Sequence, residues 1–245
     1  MLKNLSAVVL SGRPEHHLKT PTALLPFGEV TVLERTLAAY LEAGIGEVIV
    51  VTRSRLAEFQ AATSALGSAV TVIQPVNAEA GVGEFLRRGA EQVSSHAHGF
   101  FVGLGDQPLL DKSVIEDLAA RASSTKAKIL VPVWQGILGQ PIYFDASYLP
   151  YFKKLTPVKE LWDLLKAHRA DVIDYPLFQT SVVRHVEDMD DYHALLRLAG
   201  LPIPQVQQTP DLSIEPPASN ANEPPESAGS RSEHEQASTE SQPGQ

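Results

Sequence analysis

The chain has no cysteine, which removes disulfides, thiolate metal sites and cysteine nucleophiles at once. It also lacks any apolar run near the roughly 18 residues of a membrane-spanning helix. The short apolar stretch at residues 7–10 leads into Ser11-Gly12-Arg13-Pro14, without the small-residue site at which secretory leaders are cut. A cytoplasmic protein is expected. Positive charge is scarce too: 20 Lys and Arg against 29 Asp and Glu give a formal charge of −9. That sign argues against a general binder of phosphate backbones. Neither a nucleic acid nor a membrane is an expected partner.

Those charges are unevenly spread. Residues 204–245 carry Asp211, Glu215, Glu223, Glu226, Glu233, Glu235 and Glu240 but only Arg231, and no aromatic residue. The segment is also rich in proline. Such a composition cannot bury enough apolar surface to offset its ordering entropy, so a disordered acidic tail is expected there. Residues 1–203 then form the working domain. With 43% apolar and 20% charged residues overall, the chain can build a sizeable core.

Short apolar runs rich in β-branched residues at 6–10, 47–52, 70–73, 99–103 and 128–133 read as buried strands. Helical periodicity lies between them. At 32–43 Leu33, Leu37, Tyr40 and Leu41 share a face, and Gly44 follows as a C-terminal cap. Residues 83–93 and 113–122 form further helices, the second with Ser113 as N-cap and Glu116 three residues on. Beyond Gln140 the expectations are a strand at 142–144, a helix at 158–168, a strand at 181–186 and a closing helix at 191–199. Alternating strands and helices imply βαβ units, a mostly parallel sheet and a three-layer α/β/α domain. Sheets of this kind bind ligands at the carboxyl ends of their strands.

Three segments stand at such ends. Leu10-Ser11-Gly12-Arg13, with Lys19 further along, is a loop whose backbone N–H groups and cations suit a triphosphate. A turn glycine after a strand is the plainer alternative. Asp106 follows a central strand directly through Gly105 and precedes Gln107-Pro108. A carboxylate so placed can bind Mg²⁺ that also touches substrate phosphates, or it can simply close a turn. The run Glu187-Asp188-Met189-Asp190-Asp191 can complete that magnesium site with Asp106, or cap the last helix. His96 and His98 carry the ordinary reading of surface histidines, since no third ligand type lies near.

Four pieces occur in one order: Pro21-Thr22-Ala23-Leu24-Leu25-Pro26-Phe27-Gly28, then Gly105-Asp106-Gln107-Pro108, then Val131-Pro132-Val133 through Gly139-Gln140-Pro141 to Phe144, then Asp188-Met189-Asp190. That order resembles the nucleotidyltransferases of molybdenum-cofactor maturation, most of all the molybdenum cofactor cytidylyltransferase branch. The family runs through PKALLPxG, NPxWxxGMGxSL, GDQP, VPxxxGxxGHPxxF, LxGDxGAR and DIDTPEDL. The resemblance implies a Rossmann-like nucleotidyltransferase fold with a mostly parallel, mixed sheet, and Mg²⁺ as cofactor. It implies CTP as donor and molybdopterin as acceptor, with pyrophosphate released. Asp106, Asp190 and Asp188 would hold the metal. Lys19, Arg13 and Asp106 would be catalytic, and Leu10, Ser11, Gly12, Gly81, Gly83 and Gly105 would bind nucleotide. A partner protein in metalloenzyme maturation is a further implied association.

The departures matter as much. The family lysine of PKALLP is Thr22, the Gly-Asp of LxGDxGAR is Pro157-Val158, the serines after GMG are replaced by Glu84-Phe85, and GHP reads Gly139-Gln140-Pro141. Phosphoryl-type transfer relies on positioning and charge stabilisation, so a lost lysine lowers the rate unless Lys19 or Arg13 substitutes. Two functions from different classes follow. One is a magnesium-dependent nucleotidyltransferase. The other is a catalytically impaired accessory module that keeps the fold and binds nucleotide or cofactor. Sugar-phosphate nucleotidyl transfer would use the same fold.

Overall fold

The computed structural model describes residues 2–11, 20–75, 77 and 80–204. Along the chain the strands are β1 (Leu5–Ser11), β2 (Pro26–Phe27), β3 (Val30–Thr31), β4 (Glu47–Thr52), β5 (Val70–Ile73), β6 (Gly99–Leu104), β7 (Ile129–Trp134), β8 (Ile137–Leu138), β9 (Ile142–Asp145) and β10 (Val172–Pro176). The helices are α1 (Val32–Glu42), α2 (Leu56–Thr63), α3 (Val82–Gln92), α4 (Lys112–Thr125), α5 (Leu149–Phe152), α6 (Leu161–Ala167) and α7 (Met189–Leu198). One sheet runs β10-β7-β9-β6-β1-β4-β5, with β8 attached to β7, and β2-β3 form a separate hairpin. The neighbours β6-β1-β4-β5 are parallel, while β9 runs antiparallel to both β6 and β7.

Alternation along the strands builds two cores. Ala7 and Val9 of β1, Val48 and Val50 of β4 and Phe101 of β6 face Leu33, Leu37 and Tyr40 of α1 and Val114 and Leu118 of α4. The intervening Val8, Ile49, Val51, Phe100 and Val102 face Phe85 and Leu86 of α3 and Leu161, Leu164 and Leu165 of α6. This is the period-two pattern of a sheet buried on both faces. The three-layer α/β/α fold expected from the sequence is the one observed. A third, smaller core joins Phe27, Val32 and Val186 to Tyr192, Leu195 and Leu196 of α7.

Local chemistry sets the helix starts. Thr31 caps α1: its hydroxyl accepts from the Glu34 N–H at 3.1 Å, and the Glu34 carboxylate accepts from the Thr31 N–H at 2.8 Å. The N-cap of α4 is Asp111, not Ser113. Its carboxylate accepts from the Ser113 N–H at 2.9 Å, so the helix begins earlier than the sequence pattern suggests. The expected helix at 158–168 is shortened to α6, with Glu160 at its N-cap.

Residues 181–186 are not a strand. Thr180–Val182 form a 3₁₀ turn, and the segment crosses the ends of the strands rather than joining the sheet. Ser181, Val182 and Val186 are buried, so the apolar run reports burial. Its backbone bonds go to loops instead of a ladder. The strand that follows β9 in this half is instead β10, parallel to β7 at the sheet edge. It is only half-buried, and Pro176 closes it, as an edge position permits.

Candidate active site

The register fixes what meets at the carboxyl edge of the sheet. Leu10 of β1 stands beside Leu104 of β6, and Ser11 beside Thr52 of β4. The residues that come next, Arg53 and Gly105-Asp106, therefore emerge together. Because β9 is antiparallel to β6, with Ile142 opposite Val102, the preceding Gln140-Pro141 arrives at the same edge. After β5 the chain returns to the other side of β1, which makes this the switch point of the topology, where such sheets bind ligands.

A cleft of about 240 Å³ opens there. Leu10 and Leu104 come from the strands, Phe85 from α3 and Trp162 from α6, and the polar groups are Arg53, Asp106, Gln140 and Glu160. Arg53 is held over the face of Phe85, its guanidinium carbon 4.8 Å from the ring centroid. A bond to the Ala80 carbonyl at 3.5 Å fixes it further. It is the cation among the lining residues described, and sequence reasoning overlooked it. The only available signal was its place one residue past β4.

Asp106 is 6% exposed. Its carbonyl accepts the Val186 N–H at 2.9 Å. A second stitch lies alongside: the Gln140 N–H donates to the Val182 carbonyl at 2.7 Å. The Gln107 side-chain amide donates to the Ser181 and Val182 carbonyls at 3.3 and 3.4 Å. The 180–186 segment is thus a clasp across the loops that carry Asp106, Gln107 and Gln140.

This clasp brings the backbone at the start of the acidic run beside the Asp106 carbonyl. Glu187 follows Val186 immediately, and its carboxylate lies 2.6 Å from His185 Nε2. Asp188 is the N-cap of α7, accepting from the Asp191 N–H at 2.9 Å. Asp190 lies exposed in the first turn of that helix. Of the carboxylates expected to hold metal, Asp188 is therefore engaged in a cap and Asp190 is exposed on the helix, while Glu187, not singled out from the sequence, is next along the chain to the Asp106 contact. Among the described residues no three His, Asp or Glu side chains gather into a complete metal cage. Asp106 with one further carboxylate nevertheless suits a hard divalent cation whose other positions are filled by phosphate and water oxygens.

The glycines have steric roles. A Cβ on Gly83 would lie 2.0 Å from the Thr156 carbonyl oxygen, and one on Gly81 would lie 2.3 Å from that of Pro157. Both let α3 meet the loop before α6. A Cβ on Gly105 would lie 2.8 Å from Ser11 Oγ, so Ser11 packs directly onto the turn before Asp106. Ser11 Oγ is buried there without a hydrogen-bond partner among the described residues. Leu10, Ser11, Gly105 and Asp106 are thus brought together. Gly12, Arg13 and Lys19 lie outside the described residues.

Glu84 does not place an unpaired anion in the cleft. Arg87 grips it with two bonds, at 2.9 and 2.6 Å, and also pairs with Glu91. These bonds hold the Arg87 guanidinium above its ordinary pKa, with the Glu84 hydrogen bond the largest cause. Arg88 pairs with Glu91 at 2.7 Å. Both arginines are committed along α3.

The MobA-like NTP transferase domain model matches residues 7–172. Among solved structures, the homologue of Mycobacterium tuberculosis rv0371c from Mycobacterium sp. strain JC1 is 24% identical, with TM-score 0.70, covering 82% of this chain and 98% of that one. Rv0371c of Mycobacterium tuberculosis in complex with manganese is 26% identical, with TM-score 0.65, covering 79% and 97%. A nucleotidyl transferase from Methanothermobacter (Mth528) is 21% identical, with TM-score 0.67, covering 79% and 96%. No curated protein matches the chain. Among the described residues no helix is long and apolar enough to cross a membrane. With its switch-point cleft, its strand-end aspartate and a family match spanning most of the sheet, the chain belongs to the MobA-like NTP transferase domain family and carries a nucleotidyltransferase domain.

Proposed function

We propose that the protein is a divalent-metal-dependent nucleotidyltransferase. It moves a nucleoside monophosphate, CMP by the motif resemblance, from the triphosphate to a phosphorylated acceptor such as molybdopterin. The acceptor phosphate attacks the α-phosphorus, a new P–O–P linkage forms, and pyrophosphate leaves with the electron pair of the broken bond. A phosphate nucleophile is already ionised at neutral pH, so no general base is required.

The observation that carries this reading is Asp106: a buried carboxylate at the switch-point edge, tied through its backbone to an acidic run. Asp106, with a carboxylate from Glu187, Asp188 or Asp190, would hold Mg²⁺. Glu187 is favoured among them because it directly follows the Val186 contact. The ion supplies charge stabilisation for phosphate oxygens when bound. The manganese in the related Rv0371c structure supports a divalent ion at this fold. Arg13 and Lys19 are assigned to the triphosphate, with Leu10, Ser11, Gly12 and Gly105 along the nucleotide. Arg53 adds a fixed positive charge at the cleft. Gly81 and Gly83 shape its wall through α3.

Pyrophosphate release from CTP, GTP, ATP and UTP with Mg²⁺ or Mn²⁺, with and without molybdopterin, tests the proposal. Release from one triphosphate, dependent on metal and acceptor and lost in Asp106→Ala, is expected. Nucleotide binding without release under every condition would favour the accessory-module reading instead.

A further inference from the structure

Gln140 is an uncharged polar residue of the cleft that the transfer chemistry leaves unused. Its backbone is fixed, because the N–H donates to the Val182 carbonyl at 2.7 Å and Pro141 follows. The preceding Gly139 is pressed against the same turn: a Cβ there would lie 2.7 Å from the Val182 carbonyl oxygen. Gln140 lines the cleft with Asp106 and Trp162. Its Oε1 is closed off from solvent with no hydrogen-bond partner among the described residues.

A buried amide oxygen without a donor leaves its desolvation uncompensated, and a ligand donor reaching it would recover that cost. The other half of the amide is an NH₂ donor, so the group offers an acceptor and a donor side by side. Their complement is a ring edge with an N–H beside a carbonyl or imine nitrogen, the cyclic amide or amidine edge of a heterocycle. The half-buried ring of Trp162 suits a flat ligand ring, and the amide contributes no charge.

We propose that Gln140 is a specificity-determining residue that reads the amide or amidine edge of a heterocyclic substrate in this cleft. The inference rests on the nucleotidyltransferase reading and deepens it. Such an edge can belong to the donor's base or to the acceptor's ring, and one experiment separates the two. Titration calorimetry with Mg²⁺ measures binding of CTP, UTP, GTP and ATP, and separately of pterin-6-carboxylate, to wild type, Gln140→Leu and Gln140→Glu. Thermal melting confirms that each variant is folded.

If the ring belongs to the donor, Gln140→Leu weakens the preferred triphosphate about tenfold or more and narrows its margin over the others. If it belongs to the acceptor, all four triphosphates bind as before and pterin-6-carboxylate weakens by a similar factor. Gln140→Glu keeps the shape but removes the NH₂ donor, and it should lose the same preference. Wild type that binds triphosphates, with folded variants matching it within twofold for every probe, overturns the role of Gln140 alone. Wild type that binds none of the probes overturns this inference and the transferase reading together.

Discussion

The backbone carbonyl of Asp106 accepts the N–H of Val186 at 2.9 Å, joining the end of the central strand to the start of the acidic run. Residues eighty positions apart in the chain are thereby joined by one backbone hydrogen bond. The proposed recruitment of a metal-binding carboxylate from that run rests on this contact.

Asp106→Asn keeps size and shape while removing the charge. Metal-dependent pyrophosphate release should fall by about 100-fold or more, with the melting temperature little changed. In parallel, Glu187→Gln should cost far more activity than Asp190→Asn. Steady-state kinetics across a Mg²⁺ series checks both, and equal effects at 187 and 190 would refute the assignment of Glu187.

Arg53→Lys preserves the charge but not the planar group stacked on Phe85. Loss of that fixed orientation should weaken triphosphate binding about five- to tenfold. The check is titration calorimetry at two salt concentrations. A wild-type affinity in the variant would mean that charge alone matters at this position.

Thr22→Lys restores the residue that the family motif carries at this point in the chain. If phosphate neutralisation limits the reaction, pyrophosphate release should rise by about tenfold. A variant that is folded and no faster would show that the cations already present suffice.

Gly83→Ala tests the approach of α3 to the loop before α6. Alanine is the better helix former, yet its Cβ would meet the Thr156 carbonyl oxygen at 2.0 Å and that of Lys159 at 2.7 Å. The clash should dominate and lower stability by about 1–3 kcal/mol, measured by urea unfolding. Stabilisation would instead mean that this loop yields freely.

Asp111→Ala removes the cap of α4 and should cost about 1 kcal/mol at neutral pH. The Ser113 backbone N–H holds the Asp111 carboxyl below its ordinary pKa of 3.8. A depressed carboxylate stabilises the fold above its unfolded pKa, and that share disappears as pH falls through the folded one. The gap between variant and wild type should therefore shrink below about pH 4. Urea unfolding at pH 7 and at successively lower pH gives the comparison.

Much of this architecture is legible in the chain itself. Apolar runs at β1, β4, β5, β6 and β7 determine the strands, because a sheet covered on both faces needs apolar residues on both sides. Their alternation with amphipathic helices determines three layers, and hence the edge at which Asp106 must lie. The motif order determines the family. The run at 181–186 shows where such reading stops: apolar sequence reports burial, not the partner of its hydrogen bonds.

The tertiary structure decided what converges on that edge. Antiparallel insertion of β9 turns Gln140 toward Asp106, although local sequence does not encode strand direction. Arg53 becomes a cleft cation only through the register of β4 and the ring of Phe85. Arg87 neutralises Glu84 through bond geometry that the residue spacing merely permits. Asp188 is drawn into a helix cap because the first N–H groups of α7 need an acceptor. The chain's shortage of positive charge thus resolves into a local question of how the few available cations are held, and contacts between distant segments set that answer.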